Sequence, residues 1–140
     1  MPHREDRFMT ETVARFRSVV LDCPDPHALA AFYAGIVGGT PEAEDGDEDW
    51  VVLRVPGGPR LAFQRAGEDY TPPEWPRSDR NSQQAHLDFD GGSTWAEIDA
   101  AEEKVLELGA RRLRAPEGEH FRVYADPAGH PFCLCRIEHG

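Results

Sequence analysis

The stretch FRSVVLDCPDPHALAAFYAGIVGG, residues 16–39, reads as a strand, a break, a helix and a stop. FRSVVLD (16–22) alternates and is β-branched, the pattern of a half-buried strand. Cys23-Pro24-Asp25-Pro26 ends it, with Asp25 placed to cap a helix whose first position is Pro26. Leu29, Phe32, Tyr33, Ile36 and Val37 recur at helical spacing over 26–37, and Gly38-Gly39 stops the helix. The acidic EAEDGDED (42–49) is a solvated loop, or a strand end followed by a turn. DWVVLRV (49–55) and RLAFQR (60–65) are strands joined by the turn Pro56-Gly57-Gly58-Pro59.

The same order returns downstream. QAHLDFD (84–90) is a strand, and 94–108 is a helix with Ile98, Ala101, Val105 and Leu108 inward, closed by Gly109. ARRLRA (110–115), HFRVYAD (120–126) and HPFCLCRI (130–137) are three strands, the last two joined by Pro127-Ala128-Gly129. The halves match at an offset of 71: Gly38 with Gly109, Val52 with Val123, Gly58 with Gly129, Phe63 with Leu134. Gly91-Gly92-Ser93 lengthens the second strand-to-helix junction, so the first strands differ by less. An internal repeat constrains the whole architecture. It predicts an α+β domain over 16–137 made of two pseudo-symmetric βαβββ modules, 16–65 and 84–137. A linker, 66–83, joins them, and residues 1–15 form a polar tail.

Composition narrows the function. At 140 residues the chain is one domain, long enough to fold without disulfides or metal. Its net charge of −11 excludes a general nucleic-acid binder and argues against docking on anionic membranes. No apolar run approaches the roughly 20 residues of a membrane span, and MPHREDRFMTETVAR lacks the apolar core of a secretory signal. The cysteines number three, an odd count that implies no disulfide framework and fits a reducing cytoplasm. No phosphate loop or nucleophile elbow is present: Gly57-Gly58 lacks the Walker lysine, and neither Ser nor Cys sits in an elbow motif.

Strand side chains alternate faces, so parity sorts them. One set is apolar: Val19 and Leu21, Val51 and Leu53, Leu61 and Phe63, Leu87 and Phe89, Phe121 and Val123, Phe132 and Leu134. It is expected beneath the helices. The opposite set mixes polar and aromatic groups: Ser18, Val20, Asp22, Trp50, Val52, Arg54, Ala62, Gln64, Gln84, His86, Asp88, His120, Arg122, Tyr124, Cys133 and Cys135. Such a face suits a concave ligand site. Its candidates for ligand contact are Trp50, Arg54, Gln64, His86, Asp88, Arg122, Tyr124 and Cys133, with Tyr70 and Trp75 of the linker as a lid. Arg54 with Arg122 would suit an anion. His86 is the best acid–base group, and Asp22 and Asp88 could orient it.

Four segments carry a family resemblance: VVLDCPDPHALAAFYAGIVGG (19–39), AHLDFD (85–90), AEEKVLELGAR (101–111) and VYADPAGHPFCL (123–134). They resemble the vicinal oxygen chelate superfamily, the group of glyoxalase I, bleomycin-resistance proteins and extradiol dioxygenases, and most of all its small glyoxalase-like domain proteins. The resemblance implies two βαβββ modules whose mixed sheets form a half-barrel around the site. In metal-using members, four inward side chains bind a divalent metal. Those positions fall here on Ser18, on Ala62 or Gln64, on His86 and on Cys133. Of these only His86 is an ordinary ligand, so no metal cofactor is expected. A softer alternative is zinc on Cys133, Cys135 and His86.

The expected function is a metal-free, bleomycin-resistance-like protein that holds a small organic molecule, an antibiotic or another metabolite. Two enzyme readings stay open. One is a metal-dependent lyase, isomerase or dioxygenase with a degenerate ligand set. The other is a metal-independent enzyme using His86. Pairing into a homodimer is also expected, because open sheets leave edges to cover.

Overall fold

A computed structural model describes residues 14–74, 84–113 and 120–137. Most of the expected tail, Trp75 and the rest of the linker to 83, and the end of the expected strand 110–115 lie outside the described residues.

The first module runs β1 (Ser18–Cys23), α1 (Pro26–Val37), β2 (Pro41–Glu44), β3 (Asp47–Leu53) and β4 (Arg60–Arg65). The second runs β5 (Leu87–Gly92), α2 (Trp95–Leu108), β6 (Arg111–Arg112), β7 (Phe121–Ala125) and β8 (Pro131–Arg136). Each module forms a four-stranded mixed sheet, ordered β1-β4-β3-β2 and β5-β8-β7-β6, with β1 parallel to β4 and β5 parallel to β8. The architecture is the expected pair of βαβββ modules, and the sheets are open.

Local chemistry sets the boundaries. The Asp25 side chain accepts the Ala28 amide at 3.2 Å, and Pro26 begins α1. Thr94 caps α2 in the same way by accepting the Glu97 amide, and the Glu97 carboxylate reaches back to the Ser93 amide and hydroxyl. Of the two readings of the acidic stretch, a strand end followed by a turn is the one that forms. Asp45 and Gly46 both have positive φ, 53° and 76°, which closes a tight hairpin between β2 and β3. β2 is a short edge strand with little buried surface, which is why charge is tolerated along it.

The core lies between the sheets and the helices. Tyr33 of α1 is fully buried and stacks on Phe63 of β4 at 5.8 Å. It also meets Phe89 of β5 at 6.1 Å and Phe132 of β8 at 6.3 Å. One ring of the first module therefore packs on strands of both sheets. Each such aromatic pair contributes about 0.5–1.5 kcal/mol beyond its buried area. The Tyr33 hydroxyl donates to Asp126 Oδ2, just past β7, which fixes α1 to the second module by a polar contact as well.

Candidate functional site

Register decides which side chains face away from the helices. In the first sheet Trp50 lies beside Gln64, Val52 beside Ala62, Val20 beside Ala62, and Asp22 beside Gln64. In the second sheet Phe121 lies beside Cys135, Val123 beside Cys133, Asp88 beside Cys133, and Asp90 beside Cys135. The two sets superpose. A shift of 71 carries Trp50 onto Phe121, Val52 onto Val123, Ala62 onto Cys133 and Gln64 onto Cys135. A shift of 68 carries Val20 onto Asp88 and Asp22 onto Asp90, and therefore Ser18 onto His86.

Trp50, Gln64, His86, Asp88 and Cys133 thus share the inner face, as parity predicts. Arg122 and Tyr124 do not. Tyr124 lies beside Phe132 and Arg122 beside Leu134, on the helix side of the sheet. The Tyr124 hydroxyl donates to Glu102 of α2 at 2.8 Å. Arg122 Nη1 lies 2.9 Å from Asp99 and 3.6 Å from Glu102, and its guanidinium sits 5.2 Å from the centre of the Trp95 ring. The reason is a one-residue shift in β7. Its apolar residues on the expected core parity, Phe121 and Val123, point inward, while the polar groups meet acids on α2. The signal was present in the sequence, since the 71-residue repeat already pairs Val123 with inward Val52.

The other candidates are dispersed. Arg54 lies just past the end of β3 and is exposed. Tyr70 is bound to the β7–β8 turn: its hydroxyl donates to the Ala128 carbonyl at 2.8 Å and lies 3.2 Å from His130 Nε2. It lines a cavity of about 440 Å³ with Pro72, Arg111, Asp126 and Gly129. A cavity of about 340 Å³ lies between the helices, against Gly35, Ala101, Lys104 and Leu108. Neither cavity includes Trp50, Gln64 or His86.

The inner face itself is mixed. Val20 and Phe121 are 41% and 39% exposed, so apolar surface is open on both modules. Trp50 is half-buried and donates from Nε1 to Glu44 at 2.9 Å. His86 Nε2 lies 3.3 Å from Asp88 Oδ1. Cys133 is 7% exposed, and burial, with the charge and hydrogen bond of Asp88, pushes its thiol up to about 12. Burial and the charges of Asp88 and Asp90 push the Cys135 thiol upward too.

The four family positions do not make a metal centre. The repeat identifies Ala62, not Gln64, as the mate of Cys133. A methyl group has no lone pair, and Ser18 supplies only a neutral hydroxyl. Of the four, the strong donors His86 and Cys133 both stand on the second module.

A family profile described as glyoxalase-like domain matches residues 18–135. No curated protein matches. Solved structures share the fold. A glyoxalase/bleomycin resistance protein/dioxygenase family enzyme from Burkholderia phytofirmans is 20% identical, with TM-score 0.67, covering 89% of this chain and all of its own. A glyoxalase-related enzyme from Fulvimarina pelagi is 20% identical, with TM-score 0.63 and 88% of each chain covered. The fosfomycin resistance protein FosX from Mesorhizobium loti is 16% identical, with TM-score 0.61, covering 91% of this chain and 94% of its own.

Proposed function

The chain belongs to the glyoxalase-like domain family, and from that premise we propose that it binds a small organic molecule on the inner faces of its two sheets. The observation that carries the reading is the mixed character of that face: open apolar groups, Val20 and Phe121, beside Trp50, Gln64, His86 and Asp88. Ligand sites combine apolar walls with a few polar groups in this way. Trp50 and Phe121 occupy equivalent positions and offer aromatic contact from each module. The ligand is an antibiotic or related metabolite, a class in keeping with the resistance proteins among the fold's relatives. Binding proceeds without the family's two-module metal centre, because Ala62 and Ser18 cannot complete it. Two further parts of the proposal are a homodimer, which would cover open sheet edges, and a cytoplasmic setting, which suits the free thiols of Cys23, Cys133 and Cys135.

Tryptophan fluorescence tests the binding. Titration with bleomycin, fosfomycin and a set of planar aromatic metabolites should give saturable quenching by at least one compound. The quenching should disappear in Trp50→Phe and persist in Trp95→Phe. No saturable response to any of them, or a response lost only with Trp95, sinks the reading.

The contact between His86 and Asp88 supports a second reading, in which the imidazole acts as acid and base with the carboxylate holding its ring. Loss of a measured turnover in His86→Ala, with ligand quenching intact, separates catalysis from binding alone.

A further inference from the structure

The helix side of the sheets holds a groove that plays no part in the inner face. A cavity of about 340 Å³ lies between α1 and α2. Ile36 of α1, Phe89 of β5, Leu134 of β8, and Val105 and Leu108 of α2 form its apolar walls, and Lys104 of α2 lies among them. We infer that this groove binds a medium-chain aliphatic carboxylate, with the chain against those walls and the carboxylate on the Lys104 ammonium.

Helical spacing places the lysine. Lys104 follows Ala101 by three residues and precedes Leu108 by four, so the three share one face of α2. Its side chain is exposed, which lets the stem lie along apolar surface while the ammonium stays at the mouth. It is the chain's one lysine, and it has no ion-pair partner among the described residues. Other cations of this module are matched: Arg122 lies 2.9 Å from Asp99, and Arg112 lies 3.2 Å from Glu102. On a chain of net charge −11, an unmatched cation beside apolar walls complements an anion with an apolar body. Asp90 also borders the groove. It stands beside Cys135 in the register, so its carboxylate faces the inner side of the sheet, away from Lys104.

Small residues shape the space. A Cβ on Gly35 would lie 2.7 Å from Leu108 Cδ2, and one on Gly91 would lie 2.9 Å from Ile98 Cδ1. These glycines let α1 and β5 come close to α2, and Ala101 between them fills little of the groove. The volume is at the small end of ligand pockets, which suits a chain of about six to ten carbons. One ammonium matches one carboxylate, whereas a phosphate calls for several donors. The site goes beyond the inner-face ligand and stands without it, because the two lie on opposite sides of the sheets and share no side chain.

Isothermal titration calorimetry at neutral pH tests this on the full chain, with sodium octanoate as the probe. Octanoate should bind saturably at one equivalent, at least fourfold more tightly than hexanoate, because each buried methylene strengthens binding. Octanol, which keeps the chain and lacks the charge, should bind at least threefold more weakly than octanoate. Lys104→Met should erase that difference by weakening octanoate alone, and Lys104→Arg should restore it. Ala101→Leu, which fills the groove, should abolish binding of both probes. Lys104 is exposed, so its two variants decide the matter if Ala101→Leu does not fold. Trp50→Phe should bind octanoate as the wild type does. An absence of saturable heat overturns the proposal, as does octanoate affinity unchanged in Lys104→Met, octanol binding as tightly as octanoate, or octanoate binding lost in Trp50→Phe. Quenching at Trp50 by the inner-face ligand is read separately, so either proposal can fail alone.

Discussion

Replacing Tyr33 with phenylalanine deletes one oxygen from the junction of the two modules. That oxygen donates to Asp126 Oδ2, and Asp126 is only 4% exposed. The other carboxylate oxygen accepts the Ala128 amide at 2.8 Å and the His130 amide at 3.0 Å. Burial holds the Asp126 carboxyl above the usual range, and the Tyr33 hydroxyl, His130 and the two amides oppose that push. A hydrogen bond to a charged group contributes about 1.5–3 kcal/mol, because the partner left behind still lacks water. For a 140-residue chain, unfolding entropy is about 0.3 kcal/mol per kelvin, so the midpoint should fall by about 5–10 °C at neutral pH.

The pH dependence has a definite sign. A carboxyl whose folded-state pKa lies above its unfolded value contributes stability that is present in acid and lost as pH rises through the folded value. Removing the hydroxyl raises the folded value further, so the variant loses most at neutral pH. Acidification protonates Asp126 in both proteins and narrows the gap. Scanning calorimetry between neutral and mildly acidic pH measures this directly. A midpoint within about a degree of wild type at neutral pH would refute the reasoning, and so would a gap that widens in acid.

Other outcomes follow from single contacts. Gly129 has φ of 95°, and a Cβ there would sit 2.5 Å from Pro72 Cβ. Gly129→Ala should therefore cost at least about 1–2 kcal/mol, visible as a lower urea midpoint, and an unchanged midpoint would contradict the packing of the linker on the turn. In chelator-treated protein at pH 8, Cys133 should alkylate about a thousandfold more slowly than an ordinary thiol, because its pKa moves from 9.0 to about 12. Peptide mapping after iodoacetamide reads the rate, and labelling as fast as in urea would show that the thiol is not held as described.

The fold was legible because its signals were local and repeated. Asp25-Pro26 and Gly38 mark the ends of α1, and the 71-residue offset forecast two sheets of one topology. The inner face was legible where polarity alternated cleanly, at Trp50, Gln64, His86, Asp88 and Cys133. It failed on β7, where Phe121 and Val123 looked like core and Arg122 and Tyr124 looked like a site. What decided their direction was Glu102 and Asp99 on a helix about 20 residues away in sequence, together with the exposed ring of Trp95. The Tyr33–Asp126 contact, 93 residues apart, left no local trace at all. It emerges only when both modules are assembled.

Each module places its first and last strands side by side: Val20 meets Ala62, and Asp88 meets Cys133. The β2–β3–β4 and β7–β8 hairpins need only short loops and can form within microseconds. The parallel seams must close around some 40 residues and come later, since distant contacts are slow to make. During synthesis the first sheet can be complete once β4 has emerged. Tyr33 then has the aromatic neighbours Phe32 and Phe63, while Phe89 and Phe132 are still to be made. The half-made protein therefore has a finished sheet and an uncovered aromatic surface, and that interval is when the nascent chain is most exposed to aggregation and most in need of a chaperone.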